Sequence, residues 1–127
     1  MDEAIVDIVL TVGLLIGAVI NLLPLPGALS ASGLSKLYDL KVADPNLLIM
    51  LRHRSAVFAI IGTLLVAAVF RPELQAAAIL AGLASAATFN LIAWQVGGYS
   101  RSIRRVFIAD MIAIVALGAA GLAYLVR

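Results

Sequence analysis

Hydrophobic residues dominate the chain in four long runs that short polar segments separate. The runs cover residues 4–23, 45–70, 72–96 and 103–126. Each run reaches or exceeds the roughly 20 residues that a helix needs to cross about 30 Å of hydrocarbon. The pattern therefore predicts four transmembrane helices, and we expect residues 1–127 to form a single integral membrane domain.

Composition points to the same class of protein. Hydrophobic residues make up 64% of the chain and charged residues 13%, against about 45–50% and 25% in soluble domains. A soluble domain of this size has too much surface to hide so much apolar area. The chain opens with Asp2 and Glu3 rather than with basic residues, so we expect a retained first helix and not a secretory signal.

The connections between the runs predict how the helices are arranged. Pro72 follows a tight hairpin and suits the first position of a helix, and Gly97 and Gly98 end the third run. Ser100 or Ser102 is expected to cap the fourth helix. Such short loops force neighbouring helices to run antiparallel. We therefore predict an all-α, up-down-up-down transmembrane four-helix bundle, with close packing at the Gly13 and Gly17 pair on the first helix.

The first loop is longer than the others and has a pattern of its own. Three of its hydrophobic residues recur at helical spacing, namely Leu34, Leu37 and Tyr38. We expect a short amphipathic helix within residues 29–41, lying at the membrane interface. Asp44 followed by Pro45 then predicts the N-cap and first position of the second span.

Basic residues are unevenly distributed between the two ends of the predicted bundle. The first and third loops carry five of them, Lys36, Lys41, Arg101, Arg104 and Arg105. The opposite side carries only Arg71 and Arg127, with the embedded Arg52 and Arg54 left uncounted. By the positive-inside rule, loops one and three face the cytoplasm. We expect a bacterial inner-membrane protein with both termini on the periplasmic side.

Six residues are predicted to meet in the inner half of the bundle. Folding the hairpin about residues 71–72 brings His53 level with Asn90, and folding the next about Tyr99 brings Asn90 within one turn of Asp110. Charged and polar groups at such depth are costly and often functional. The predicted ligand-binding residues are Asn21, Arg52, His53, Asn90, Trp94 and Asp110.

The two arginines of the second span have different predicted environments. Arg52 shares a helix face with Ser55 and other small residues, so we expect it inside the bundle, paired with Asp110, with Asn90 in reach of one of them. Arg54 lines up with Phe58 and other bulky residues, which suits a side chain that extends toward the surface. A structural interpretation competes with this one. The second span is 26 residues, or about 39 Å, so about 9 Å could protrude and leave the arginines at the interface.

Four short motifs recur in a family of membrane proteins. They are Asp44-Pro45, Leu51-Arg52-His53-Arg54, Gly97-Gly98-Tyr99-Ser100, and Arg105-Val106-Phe107 with Asp110. With them the chain resembles, over nearly its whole length, the small four-helix bacterial membrane proteins grouped near the DoxX-like families. The resemblance implies the fold and a lipid-soluble ligand. DoxX relatives are connected to quinone-linked oxidation of sulfur compounds, which makes a quinone a candidate ligand, but no catalytic residue is implied.

Three classes of function follow from these patterns. The first is a binding or accessory protein whose inner pocket, walled by Trp94 and Phe107, holds a lipid, quinone or sterol-like molecule. The second is a membrane enzyme that uses His53 or Asp110 as acid or base on such a ligand. The third is a small transporter or proton conductor with a wet path from Asp7 to Asp110.

The same residues indicate which partners and cofactors to expect. One histidine and no cysteine make a metal site unexpected, and no cofactor motif is evident apart from the candidate quinone. The basic loops suit anionic lipid headgroups better than nucleic acid. The predicted partners are membrane lipids, a lipid-soluble ligand, and a second copy of the chain or a partner membrane subunit.

Overall fold

The computed structural model describes residues 2–127, which form helices joined by short connections. The helices are α1 (Glu3–Leu22), α2 (Leu25–Leu29), α3 (Ala31–Tyr38), α4 (Pro45–Phe70), α5 (Gln75–Val96) and α6 (Arg101–Val126), with a 3₁₀ turn over Pro72–Leu74 between α4 and α5. Among them α1, α4, α5 and α6 are long and apolar enough to cross a membrane. The four predicted spans are confirmed.

The four long helices form an antiparallel bundle in which each helix packs on two neighbours. Helix α1 lies between α4 and α6, and α5 closes the ring by packing on α6 and α4. The predicted all-α four-helix bundle is therefore confirmed. We call the end that carries α2, α3 and residues 97–100 the basic end, and the opposite end, with both chain termini and the α4–α5 hairpin, the terminal end.

Side-chain caps begin several of the helices where the sequence predicts them. The Oδ1 atom of Asp44 accepts a hydrogen bond from the Asn46 amide at 2.9 Å, with Pro45 in the first position of α4. The Oγ atom of Ser100 accepts one from the Ile103 amide at 3.3 Å and starts α6. Removing such a cap costs about 1 kcal/mol, so these residues help to fix where the spans begin.

The first loop contains two short helices instead of one. The expected amphipathic helix is present as α3, and Ser30 caps it by accepting a hydrogen bond from the Gly33 amide at 2.9 Å. Helix α2 was not expected. It begins directly after Pro24 and has Pro26 in its first turn, where proline is tolerated because the amide there has no partner within the helix. The helix packs against α4.

Helices α1 and α6 approach closely because α1 carries glycine at the contact. A Cβ atom placed on Gly13 would lie 2.5 Å from the Ala116 carbonyl oxygen and 2.8 Å from the Ala120 Cβ. One placed on Gly17 would lie 2.8 Å from Leu117. Lipid gives helices no hydrophobic reason to associate, so packing of this kind holds them together. The predicted glycine contact is confirmed.

We expect Gly13→Ala to destabilise the fold, although alanine favours a helix more than glycine does. The new methyl group would push against the α6 backbone, at a cost of about 1–3 kcal/mol. Gly118→Ala is the matched control, because a Cβ atom there meets nothing within 4 Å and should gain helix propensity. Unfolding in mild detergent, followed by circular dichroism, measures both. Equal stability of the two variants would contradict the close α1–α6 contact.

Candidate functional site

A cavity of about 290 Å³ opens between α1, α3 and α6 at the basic end. We call it the basic-end cavity. Its apolar lining is Ile20, Leu23, Pro24, Leu37, Phe58, Val106 and Ala109, and its polar lining is Asn21, Lys36, Tyr38, Ser102, Arg105 and Asp110. A mostly apolar cavity with a few convergent polar groups is the usual form of a small-molecule site.

The polar groups of this cavity are separated by depth. Lys36 and Arg105 are exposed, so they lie at its rim. Asn21 and Asp110 are buried, with only 6% and 9% of their surfaces exposed, and Asp110 lies five residues further along α6 than Arg105. The cavity therefore leads from a basic rim to a buried carboxylate and amide.

Asp110 lacks a protein partner for part of its carboxylate. Its Oδ2 atom is buried and accepts no hydrogen bond, and across residues 2–127 no arginine or lysine nitrogen lies within 4.0 Å of the carboxylate. Buried polar atoms in native proteins nearly always have a partner, so each exception calls for an explanation.

The predicted pair between Arg52 and Asp110 is wrong. The Arg52 Nε atom donates to the Ala28 carbonyl at 3.2 Å, and its Nη2 atom donates to Ala28 at 3.0 Å and to Leu29 at 3.1 Å. These carbonyls belong to the end of α2, whose last oxygens have no partner within so short a helix. Arg52 therefore fastens α2 to the bundle and does not contribute to the basic-end cavity.

Arg54, which was expected to extend to the surface, is held among aromatic rings. Its guanidinium lies 4.5 Å from the Phe58 ring centre, 4.8 Å from that of Phe89 and 5.5 Å from that of Tyr38. Its Nη1 atom donates to the Tyr38 hydroxyl, while Nη2 is buried without a partner. The prediction for Arg54 is wrong because Tyr38 of α3 covers the bulky face of α4 that was assigned to lipid.

The remaining predicted residues lie elsewhere at the basic end. Asn90 is buried and donates from Nδ2 to the Phe107 carbonyl at 3.2 Å, and its Oδ1 atom has no partner. His53 is exposed beside Arg52 on a separate surface pocket of about 310 Å³. Trp94 is 74% exposed, and neither it nor Phe107 lines the basic-end cavity, so the expected walls are wrong.

Of the six predicted site residues, the cavity therefore brings together Asn21 and Asp110. The sequence interpretation missed Lys36 and Tyr38 on α3, and Ser102 and Arg105 at the start of α6. A signal for Tyr38 existed, because it belongs to the apolar stripe of the predicted interfacial helix. The apolar stripe did not indicate that this helix would fold back over α4 and α6.

Polar atoms without partners are concentrated at one end of the molecule. Four such buried side-chain atoms occur in residues 2–127, Arg54 Nη2, Ser55 Oγ, Asn90 Oδ1 and Asp110 Oδ2, and all belong to the half of the bundle nearer the basic end. Within the same described range, no group of three or more histidine, cysteine, aspartate or glutamate side chains could hold a metal ion. The four unpartnered atoms leave hydrogen-bonding positions open at the basic end.

No family model, curated protein or solved structure matches this chain. The resemblance to the DoxX-like families therefore stays a prediction, and the geometry of the site carries the functional argument.

We expect Asp110 to be coupled energetically to Arg54 and not to Arg52. Arg54 packs on Tyr38 and Phe58, which line the cavity together with Asp110, whereas the Arg52 guanidinium is hydrogen-bonded to carbonyls at the end of α2. A double-mutant cycle of Asp110→Asn with Arg54→Gln should give a coupling of about 0.5–3 kcal/mol in the free energy of unfolding. The matched cycle of Asp110→Asn with Arg52→Gln should give none. Coupling confined to Arg52 would contradict this assignment.

Proposed function

We propose that this protein is an integral membrane protein that binds a lipid-soluble molecule in the basic-end cavity. The observation that carries the proposal is Asp110, which lines the cavity and keeps a buried carboxylate oxygen without a hydrogen-bond partner. The polar head of the ligand meets Asp110 and Asn21, and its apolar body lies along the side chains of α1, α3 and α6.

An unfilled hydrogen-bonding position favours binding over a purely structural role. Leaving a buried polar group unsatisfied costs about 1–3 kcal/mol, and more for a charged group. A carboxylate that only held the helices together would be paired with the neighbouring Arg54, yet that guanidinium donates to Tyr38 instead. A ligand that supplies the missing hydrogen bond would recover this cost on binding.

The size and lining of the cavity limit the ligand. About 290 Å³ lies near the lower end of the volumes of small-molecule sites, which fits one ring system or a short stretch of alkyl chain. The seven apolar lining residues come from α1, α3, α4 and α6 and from the connection that follows α1. A lipid, a quinone headgroup and a sterol-like molecule each meet this description, so the ligand suggested by the DoxX-like resemblance is part of the proposal.

The other two classes of function have less support. An enzyme that used His53 as acid or base would need it at the ligand, but His53 borders a different pocket, which leaves only Asp110 of the two candidate groups at the cavity. A conductor would need a polar path from Asp7 to Asp110. The fully buried side chains Leu14 and Leu117 lie between those depths on α1 and α6.

Filling the cavity tests the proposal directly. We expect Ala109→Trp to abolish co-purification of a small molecule, because its indole would occupy the space beside Asp110. Ala119→Trp is the matched control, since this alanine is exposed on the same helix and is not among the cavity residues. Native mass spectrometry of protein released from mild detergent compares the two variants with the parent.

Three results are informative in this experiment. Bound mass in the parent and the control but not in Ala109→Trp supports the cavity as the site. Bound mass retained in Ala109→Trp would place the ligand elsewhere. An empty parent that takes up no amphiphile added to the detergent would contradict the proposed function.

We further propose that the protein resides in the bacterial inner membrane with the basic end in the cytoplasm. The chain has no cysteine, so single cysteines can be introduced at the exposed Ala43 and Glu73, which lie at opposite ends of the bundle. In intact cells, an impermeant maleimide should label Glu73→Cys and spare Ala43→Cys until the cells are opened. The reverse pattern would show that the basic end faces the periplasm. The five-to-two distribution of basic residues would then not determine the orientation.

A further inference from the structure

We infer that the head of the bound molecule is a neutral hydroxyl that donates a hydrogen bond, as in a lipid alcohol, a sterol or a quinol. This inference rests on the proposed function and specifies its ligand class. It distinguishes such molecules from fatty acids and other anions, from alkyl amines, and from quinones and esters that only accept hydrogen bonds.

The buried end of the cavity offers hydrogen-bond acceptors that no protein donor meets. As a carboxylate, Asp110 accepts hydrogen bonds and donates none, and its Oδ2 atom is the one without a partner. The Asn21 side chain donates one of its two Nδ2 hydrogens to the Gly17 carbonyl at 2.8 Å, and its amide oxygen makes no hydrogen bond. A molecule whose head fills the open position on Asp110 must therefore bring a donor.

Charge around the cavity disfavours a cationic head. Lys36 and Arg105 line the rim, and the Arg54 guanidinium packs on Tyr38 and Phe58, two residues of the cavity lining. An ammonium group on the ligand would gain one carboxylate while it met the repulsion of these cations.

An anionic head fits the rim but not the buried end. A ligand carboxylate beside Asp110 would bring two negative charges together. A carboxylate held at the rim by Lys36 and Arg105 would leave the alkyl chain against Asp110, and the buried oxygen would stay without a partner. A hydroxyl meets neither difficulty, because it donates to Asp110 and adds no charge.

Three probes that share one alkyl chain separate these head groups. We would add 1-decanol, decanoate or decylamine at equal mole fraction to the purified protein in neutral detergent, and measure occupancy by native mass spectrometry. We expect 1-decanol to bind best. Asp110→Leu should weaken the binding of 1-decanol about 10- to 100-fold, because one hydrogen bond to a charged group would be lost. Asp110→Asn keeps an acceptor oxygen and should retain most of the affinity.

The outcomes distinguish this inference from the proposal beneath it. Decanoate or decylamine binding as tightly as 1-decanol, or 1-decanol binding unaffected by Asp110→Leu, would overturn the hydroxyl assignment. If Ala109→Trp still removed the bound probe in that case, the cavity would remain the ligand site. Failure of all three probes to bind the parent protein would overturn the inference and count against the proposed function as well.

Discussion

Leu117 of α6 lies at the centre of the bundle and packs against residues of the other three long helices. A Cβ atom placed on Gly17 of α1 or Gly82 of α5 would lie 2.8 Å or 2.5 Å from its side chain, and Leu65 of α4 is fully buried in the same core cluster. Close packing of this kind replaces the hydrophobic drive that lipid cannot provide. This apolar core also separates the buried polar groups into two sets, one at the basic end and one at the terminal end.

The two sets are satisfied to different degrees. At the terminal end, the buried Gln75 donates to the Ala68 carbonyl at 3.1 Å and accepts from Arg127 at 3.3 Å, and Arg127 lies 3.6 Å from Asp7. That network uses its polar atoms to join the helices. At the basic end, buried atoms of four side chains lack partners, which is the reason to place binding there and a structural role at the opposite end.

The spans could be predicted from the sequence because the length of an apolar run and its caps determine them locally. Asp44, Pro45 and Ser100 mark helix starts that the structure reproduces. The common depth of Asn21 and Asp110 was likewise predictable, since a fixed rise per residue and short hairpins set it. The inner face of α4 was also predictable from its small residues, since Ser55 and Gly62 are buried. The environments of Arg52 and Arg54 were not predictable, because the short helices α2 and α3 pack on α4 and supply their partners, and no pattern in the sequence indicated that packing.

The covering of α4 by α3 also explains why Arg54 and Asp110 form no ion pair. Arg54 packs on two residues that line the cavity with Asp110, and a direct ion pair would have used the acceptor on which the proposed ligand site depends. Tyr38 prevents this by accepting the hydrogen bond from Arg54 while its ring, with those of Phe58 and Phe89, faces the guanidinium. Such cation–π contacts are worth about 2 kcal/mol or more away from water. Helix α3 thus has two roles in this region: through Tyr38 it supplies the hydrogen-bond partner of Arg54, and it forms one wall of the basic-end cavity.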